Sequence, residues 1–285
     1  SIKHVSHFLF LAVILFSCVE EVTLEFDHQP KLCINCILNP DSLIKASVTL
    51  SHSLDNSAQF EPVNNANIKL FENDILKGKL TFLGSGKYLL KQIPESGKDY
   101  KIIVEAQGYE TLEAFTKVPE KPLLNYSKDT TRILENVNWP LIDLNVQIID
   151  KQGADLYWIY QTWIVNGVKY GGSSQAINAP FVDPFNRIID TEEKYGFRFF
   201  LQVRMTDEGY DGQKLNFTIP DIVENNRTQH FLKADKHYDK YIKTVIINRL
   251  NETDELPFYE PVQIYSNIEN GYGIFGSCAI TTINL

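Results

Sequence analysis

The chain has 285 residues, 44% of them apolar and 12% aromatic, enough to build buried cores and too much for a disordered segment. Its net charge of −9 and pI near 5.2 repel phosphate backbones. With no basic stripe and no nucleic-acid motif, nucleic acid is not an expected partner.

At the start, Lys3, His4 and His7 precede an apolar run from Phe8 to Phe16, closed by Ser17 and Cys18. A basic start, a short greasy core and a small residue before the cut read as a secretory signal over 1–17. The run holds nine residues, well short of the roughly 20 that a spanning helix needs. Leu15, Ser17 and Cys18 together resemble the lipobox of bacterial lipoproteins. That resemblance implies cleavage between Ser17 and Cys18, diacylglycerol on the Cys18 sulfur, and a membrane as a standing partner through this N-terminal anchor. Glu20 and Glu21, directly behind it, resemble the acidic export signal that places Bacteroidota lipoproteins on the outside of the outer membrane. Residues 18–29 then form an acidic tether. Removing 1–17 leaves 285 − 17 = 268 residues with a balance of 26 − 36 = −10, a length that suits two domains.

Cys33 and Cys36 form a CxxC inside Leu32-Cys33-Ile34-Asn35-Cys36-Ile37-Leu38, which reads as a strand. An offset of three puts the two thiols on opposite faces, about 10 Å apart, too far for a disulfide. Both are expected to be buried as small hydrophobes, and no metal site is assigned to them.

Residues 30–118 carry short strands punctuated by Gly, Asn and Pro. Ile44, Ala46, Val48 and Leu50 alternate with polar residues, and so do Tyr100, Ile102 and Val104. Gly84-Ser85-Gly86-Lys87 mimics half a phosphate loop, but Thr81 and Tyr88 break the pattern, leaving a hairpin loop. The stretches Ala66-Asn67-Ile68-Lys69-Leu70, Gly86-Lys87-Tyr88 and Asp99-Tyr100-Lys101-Ile102 resemble a transthyretin-like or carboxypeptidase-regulatory (Ig-like) sandwich. Pro119 to Pro122 is the expected linker, followed by a second β-rich domain over 123–285 with one or two short helices.

In that second half, Leu141–Ile149 and Leu156–Val165 read as strands. The latter is apolar on both faces, with Trp158 and Trp163 pointing opposite ways, and is expected to be central and buried. Phe197–Met205 reads as another. Tyr238, Tyr241, Ile242, Val245 and Ile246 fall on one face of a helix capped by Asp235. Asp207, Glu208 and Asp211 crowd one turn, as do Asp190, Glu192 and Glu193; oxygen clusters like these can hold calcium, but neither follows the EF-hand order, and both read as solvated acidic turns. Asp41-Ser42-Leu43 and Asp129-Thr130-Thr131 resemble a short O-glycosylation signal of exported Bacteroidota proteins, making Ser42 and Thr130 candidate acceptors. Asn270-Gly271 predicts a type I′ turn between strands near Val262–Ile268 and Gly273–Thr281.

The tail Ile264-Tyr265-Ser266-Asn267-Ile268-Glu269-Asn270-Gly271-Tyr272-Gly273-Ile274-Phe275-Gly276, together with the lipobox, Pro30-Lys31-Leu32 and Asn39-Pro40-Asp41-Ser42, resembles the domain-of-unknown-function 4249 family. The resemblance implies a Bacteroidota surface lipoprotein, often encoded beside a TonB-dependent outer-membrane receptor. The function it implies is a non-enzymatic accessory subunit of such a receptor in nutrient uptake. Its partner is then a TonB-type β-barrel. The aromatics Tyr272 and Phe275 read as closing the second domain's core, with Gly271, Tyr272 and Gly273 as a partner-facing loop the alternative. Two alternatives stay open: a scaffold subunit of an outer-membrane assembly or secretion complex, and a surface glycan binder or hydrolase built on Trp158 and Trp163. No catalytic residue, cofactor or metal ligand is assigned.

Overall fold

The computed structural model describes residues 28–53, 59–133, 140–174, 176, 178–183, 185, 203–222, 227–253 and 263–285. Among them the first half contributes β1 (Leu32–Leu38), β2 (Ile44–Leu50), β3 (Asn67–Glu72), β4 (Ile75–Lys79), β5 (Thr81–Gly84), β6 (Lys87–Leu90), β7 (Asp99–Glu105) and β8 (Leu112–Lys117). The second contributes β9 (Leu123–Ile133), β10 (Pro140–Ile149), β11 (Leu156–Val165), β12 (Val168–Ser173), β13 (Val203–Thr206), β14 (Lys214–Ile222), β15 (Arg227–Ala234), α1 (Lys236–Thr253) and β16 (Tyr272–Asn284). The chain is mostly β, as the alternation predicts. The helix, at 18 residues, is longer than the short ones expected.

Period-two patterning builds the first sandwich. Ile44, Ala46 and Val48 on β2 and Leu32, Ile34, Cys36 and Leu38 on β1 turn inward. They meet Ile68 and Leu70 of β3 and Ile102 and Val104 of β7 in one core. The β1 and β2 side of this sandwich belongs to a large sheet of order β12-β11-β15-β16-β1-β2-β6-β5, with β13 beside β11. The facing sheet has the order β4-β3-β7-β8. The Gly84–Lys87 stretch is the β5–β6 hairpin loop that was expected.

The large sheet does not stop at 119–122. β16 pairs in parallel with β1 over Tyr272–Ser277 and antiparallel with β15 over Cys278–Asn284. The Thr281 hydroxyl donates to the Pro122 carbonyl at 2.7 Å, pinning the proline segment against the same strand. Pro30–Ser51 and Ala58–Leu285 accordingly group as a single unit.

Beyond β16 the sheet is covered on both faces. Tyr157 and Ile159 of β11 and Phe231 of β15 pack against Leu144, Val146 and Ile148 of β10 and Phe217 of β14. Those last two strands belong to the sheet β14-β10-β9. Trp158, Leu232 and Cys278 face the other way and are covered by Tyr238, Ile242 and Ile246 of α1. Double coverage explains why β11 reads as a continuous apolar run. The helix starts where Asp235 caps it: Oδ1 accepts from the Tyr238 N–H at 2.9 Å and Oδ2 from the His237 N–H at 3.1 Å.

All three described cysteines are free. Cys36 and Cys278 are buried, and burial pushes both thiols up to about 12. Cys33 departs from the expected burial: it is only half-buried, because odd positions of β1 point away from the sandwich core. Site-resolved maleimide mass spectrometry on the native protein should therefore find Cys36 and Cys278 unmodified until denaturant is added, with Cys33 modified first. Rapid native labelling of Cys36 contradicts the β1 packing.

β16 approaches β1 so closely that a side chain has no room. Gly273, opposite Ile34, sits at φ 109°, and a Cβ there would lie 1.9 Å from the Ile34 carbonyl oxygen. A Cβ on Gly271 would lie 2.5 Å from the Leu32 carbonyl oxygen and 2.6 Å from the Leu112 side chain. We expect Gly273→Val to cost about 3 kcal/mol or more in urea unfolding, since both the backbone conformation and the contact are lost. An unchanged midpoint means that the β1–β16 pairing is not the one described.

Candidate functional site

Ser17, Cys18, Glu20 and Glu21 lie outside the described residues, as does the Asp190, Glu192, Glu193 turn. Ser42 is exposed on the β1–β2 turn, where its N–H donates to the Asn39 carbonyl at 3.0 Å. Thr130 lies in β9, opposite Ile142 of β10. The two candidate glycan acceptors are thus in different sheets, and neither is brought beside residues 271–273.

The tail preceding β16 is not the strand that was expected. Residues 263–268 are irregular, Glu269 forms a bridge with Glu113, and Asn270 alone of the pair takes a left-handed φ of 63°. The turn is therefore not type I′. The physical reason is that β16 finds its partners in β1 and β15, so nothing requires a hairpin. Asn267 stands in for a strand instead: its Oδ1 accepts from the Phe275 N–H at 3.0 Å and its Nδ2 donates to the Phe275 carbonyl at 2.8 Å. Asn270 Nδ2 donates to the Thr111 carbonyl at 3.2 Å. The most family-like residues thus fasten the β8 edge to the start of β16.

The two aromatics of this corner have separate fates. Phe275 is fully buried in the first core, whereas Tyr272 is 44% exposed with the Lys31 ammonium 5.9 Å from its ring. The registers Cys33↔Tyr272 and Leu32↔Leu50, with the Leu50 N–H bonded to Glu61 O, put Tyr272 and Phe60 at the end of the sheet where β1 begins. Ser47↔Lys87 and Gly84↔Lys87 carry the β5–β6 loop to that end as well. Phe60 is 59% and Leu83 61% exposed there, so three large apolar side chains are exposed at the end of the sheet where β1 begins.

The two tryptophans of β11 are not brought to one common face. Trp158 is sealed beneath α1, its Nε1 donating to Asp239 Oδ1 at 3.0 Å. Arg204 Nε and Nη2 donate to the two oxygens of Asp239 at 2.7 and 3.0 Å, and Nη1 donates to Asp183. Trp163 is half-buried and stacks on Tyr170 and Arg227. An open cleft of about 570 Å³ lies beside β11, lined by Asn39, Asp41, Lys121, Lys169 and the stacked pair Tyr160 and His230. His230 Nε2 lies 2.8 Å from the Thr162 hydroxyl. Burial, helped by Lys169, holds the His230 ring below the ordinary histidine value of 6.5. A depressed folded-state value means that the unfolded chain takes up the proton more readily. The stability this ring contributes is present above pH 6.5 and lost as pH falls through the folded value. The urea midpoint should drop between pH 7.5 and 5.5, and His230→Gln should shrink that drop; an identical pH profile in the variant removes His230 from the account.

The acidic turn is not solvated as expected. Glu208 and Asp211 are exposed, but Asp207 is 4% exposed and buried together with Asp150 and Asp155 from the β10–β11 turn. The two turns lock reciprocally, with Gly153 N–H donating to Asp211 Oδ1 and Gly212 N–H to Asp150 Oδ2, each at 2.9 Å. The Tyr157 hydroxyl lies 2.7 Å from Asp150 Oδ1 and 3.0 Å from Asp155 Oδ2, and Lys233 pairs with Asp155. Burial pushes the Asp150 and Asp207 carboxyls above the usual aspartate range. Sequence inspection missed this cluster and the Arg204–Asp239 pair alike, since their members lie far apart in the chain.

The family model of a domain of unknown function, DUF4249, matches residues 19–284, and the chain belongs to that family. Among curated proteins no match is found.

Proposed function

We propose that this member of the DUF4249 family is a non-enzymatic surface lipoprotein. It is anchored through Cys18 on the outer face of the outer membrane, and it serves a TonB-dependent receptor as an accessory subunit in nutrient uptake. The observation that supports the reading is that Phe60, Leu83 and Tyr272 are each exposed at the end of the large sheet where β1 begins. Large apolar side chains exposed at one end of a domain mark a contact surface. A tether of 12 residues, 18–29, reaches at most about 40 Å when extended, so that end stays within reach of a barrel in the same membrane. Tyr272 is suited to such a contact, with an apolar ring and a hydroxyl that can remain wet.

Native lipoprotein affinity-purified from detergent-solubilised outer membrane should bring a TonB-type barrel with it. The double variant Leu83→Ser and Tyr272→Ala should lose at least about 1–2 kcal/mol of that binding, about tenfold, with the melting temperature unchanged because both residues are exposed. Recovery of assembly or translocation machinery instead of a receptor turns the role to a scaffold. Undiminished receptor binding by the double variant moves the docking face elsewhere.

A further inference from the structure

We propose that Asp150, Asp207 and Asp211 bind a calcium ion that clamps the β10–β11 turn to the β13–β14 turn. One carboxylate oxygen from each residue lies within 4.8 Å of the others. Calcium binds oxygen at about 2.3–2.6 Å, so two ligands of one ion can stand no more than about 5 Å apart, and the three fit a single centre. The donors are all hard carboxylate oxygens, the set that selects calcium or magnesium over zinc or copper. Irregular turns punctuated by Gly153, Gly209 and Gly212, rather than a rigid octahedral cage, suit the larger and geometrically tolerant ion.

An independent observation comes from Asp207. It is 4% exposed, and its Oδ2 is buried without any hydrogen-bond partner. Buried carboxylate oxygens are almost always satisfied, and one left alone beside two further carboxylates asks for a cation. The remaining contacts agree. Lys233, the nearby base, is committed to Asp155, and among the described residues Asp150, Asp207 and Asp211 have no ion-pair partner. Gly153 N–H, Gly212 N–H and the Tyr157 hydroxyl hydrogen-bond the carboxylates and orient them, as second-layer donors do around metal ligands. A site made of one exposed and two buried acids on two turns belongs with the weak extracellular class, with a Kd on the order of 10⁻⁴–10⁻³ M.

The test uses the full-length lipoprotein in detergent, stripped with chelator and returned to chelator-free buffer. Calcium chloride added to 10 mM should raise the melting temperature saturably, by about 2–6 °C, and magnesium at the same concentration should raise it by less than half as much. Terbium should show luminescence on excitation of tyrosine, since Tyr157 contacts the Asp150 carboxylate. Asp207→Asn keeps the shape and removes the charge, and should abolish both responses. Asp211→Asn, at the exposed member, should weaken calcium at least tenfold while keeping the Oδ1 acceptor for the Gly153 N–H. The proposal fails if calcium produces no shift, if magnesium matches it, or if the shift survives in Asp207→Asn.

Discussion

The architecture depends on one strand that serves two sandwiches. The first six residues of β16 pair in parallel with β1 and the last seven pair antiparallel with β15. Without β16, β1 and β15 would each offer an open edge, and the large sheet would be two fragments. The first core takes Phe275 from this strand, the second takes Ile283, and the face beneath α1 takes Cys278. Apolar burial in the two halves is therefore coupled. The parallel β1–β16 pairing joins segments at the two ends of the described chain, so the loop-closure cost falls late and the strand edges wait for it.

Polar groups set the register of that splice. Ser277 is fully buried and satisfied on every side: its N–H donates to Asp235, its hydroxyl to the Lys117 carbonyl, and it receives the Thr116 hydroxyl. Asp235 is shared between this contact and the first turn of α1. A one-residue slip of β16 would strand these groups in the interior and turn Phe275 out of the core. Such a slip is penalised twice, by unpaired polar atoms and by lost burial. Asn267 and Asn270 extend the same logic to the approach of the strand, fastening it to β8 and to β16 itself.

What could be read in the sequence is what local chemistry decides. Alternation at Ile44, Ala46 and Val48 located β2; the two-faced apolar run located β11; Asp235 announced the start of α1. What could not be read is pairing between distant segments. Asn270-Gly271 carries a strong local turn signal, yet the strand that follows it joins β1, more than 200 positions away. Strands β9, β12, β14 and β15 escaped because polar residues interrupt them, as Lys128 and Asp129 do in β9. Asp150 and Asp207 are separated by a whole strand hairpin and more, so the acidic turn looked solvated when half of its carboxylates come from elsewhere. Burial is a property of the partner surface, and a turn does not carry its partner's address.

The second half of the chain answers the same physical problem in two ways. Asp239 is buried and meets Arg204 in a bidentate pair, with the Trp158 N–H filling a further lone-pair direction. Desolvating those charges is costly, and the geometry returns that cost through directed hydrogen bonds. Asp207 is buried to the same degree, yet one of its oxygens meets no donor at all. In a low-dielectric interior such a group must either hold a proton or hold a cation. Holding a proton makes the turn most stable in acid; holding a cation makes it most stable where the ion is plentiful. The two solutions separate experimentally, because only the second makes stability depend on calcium rather than on pH.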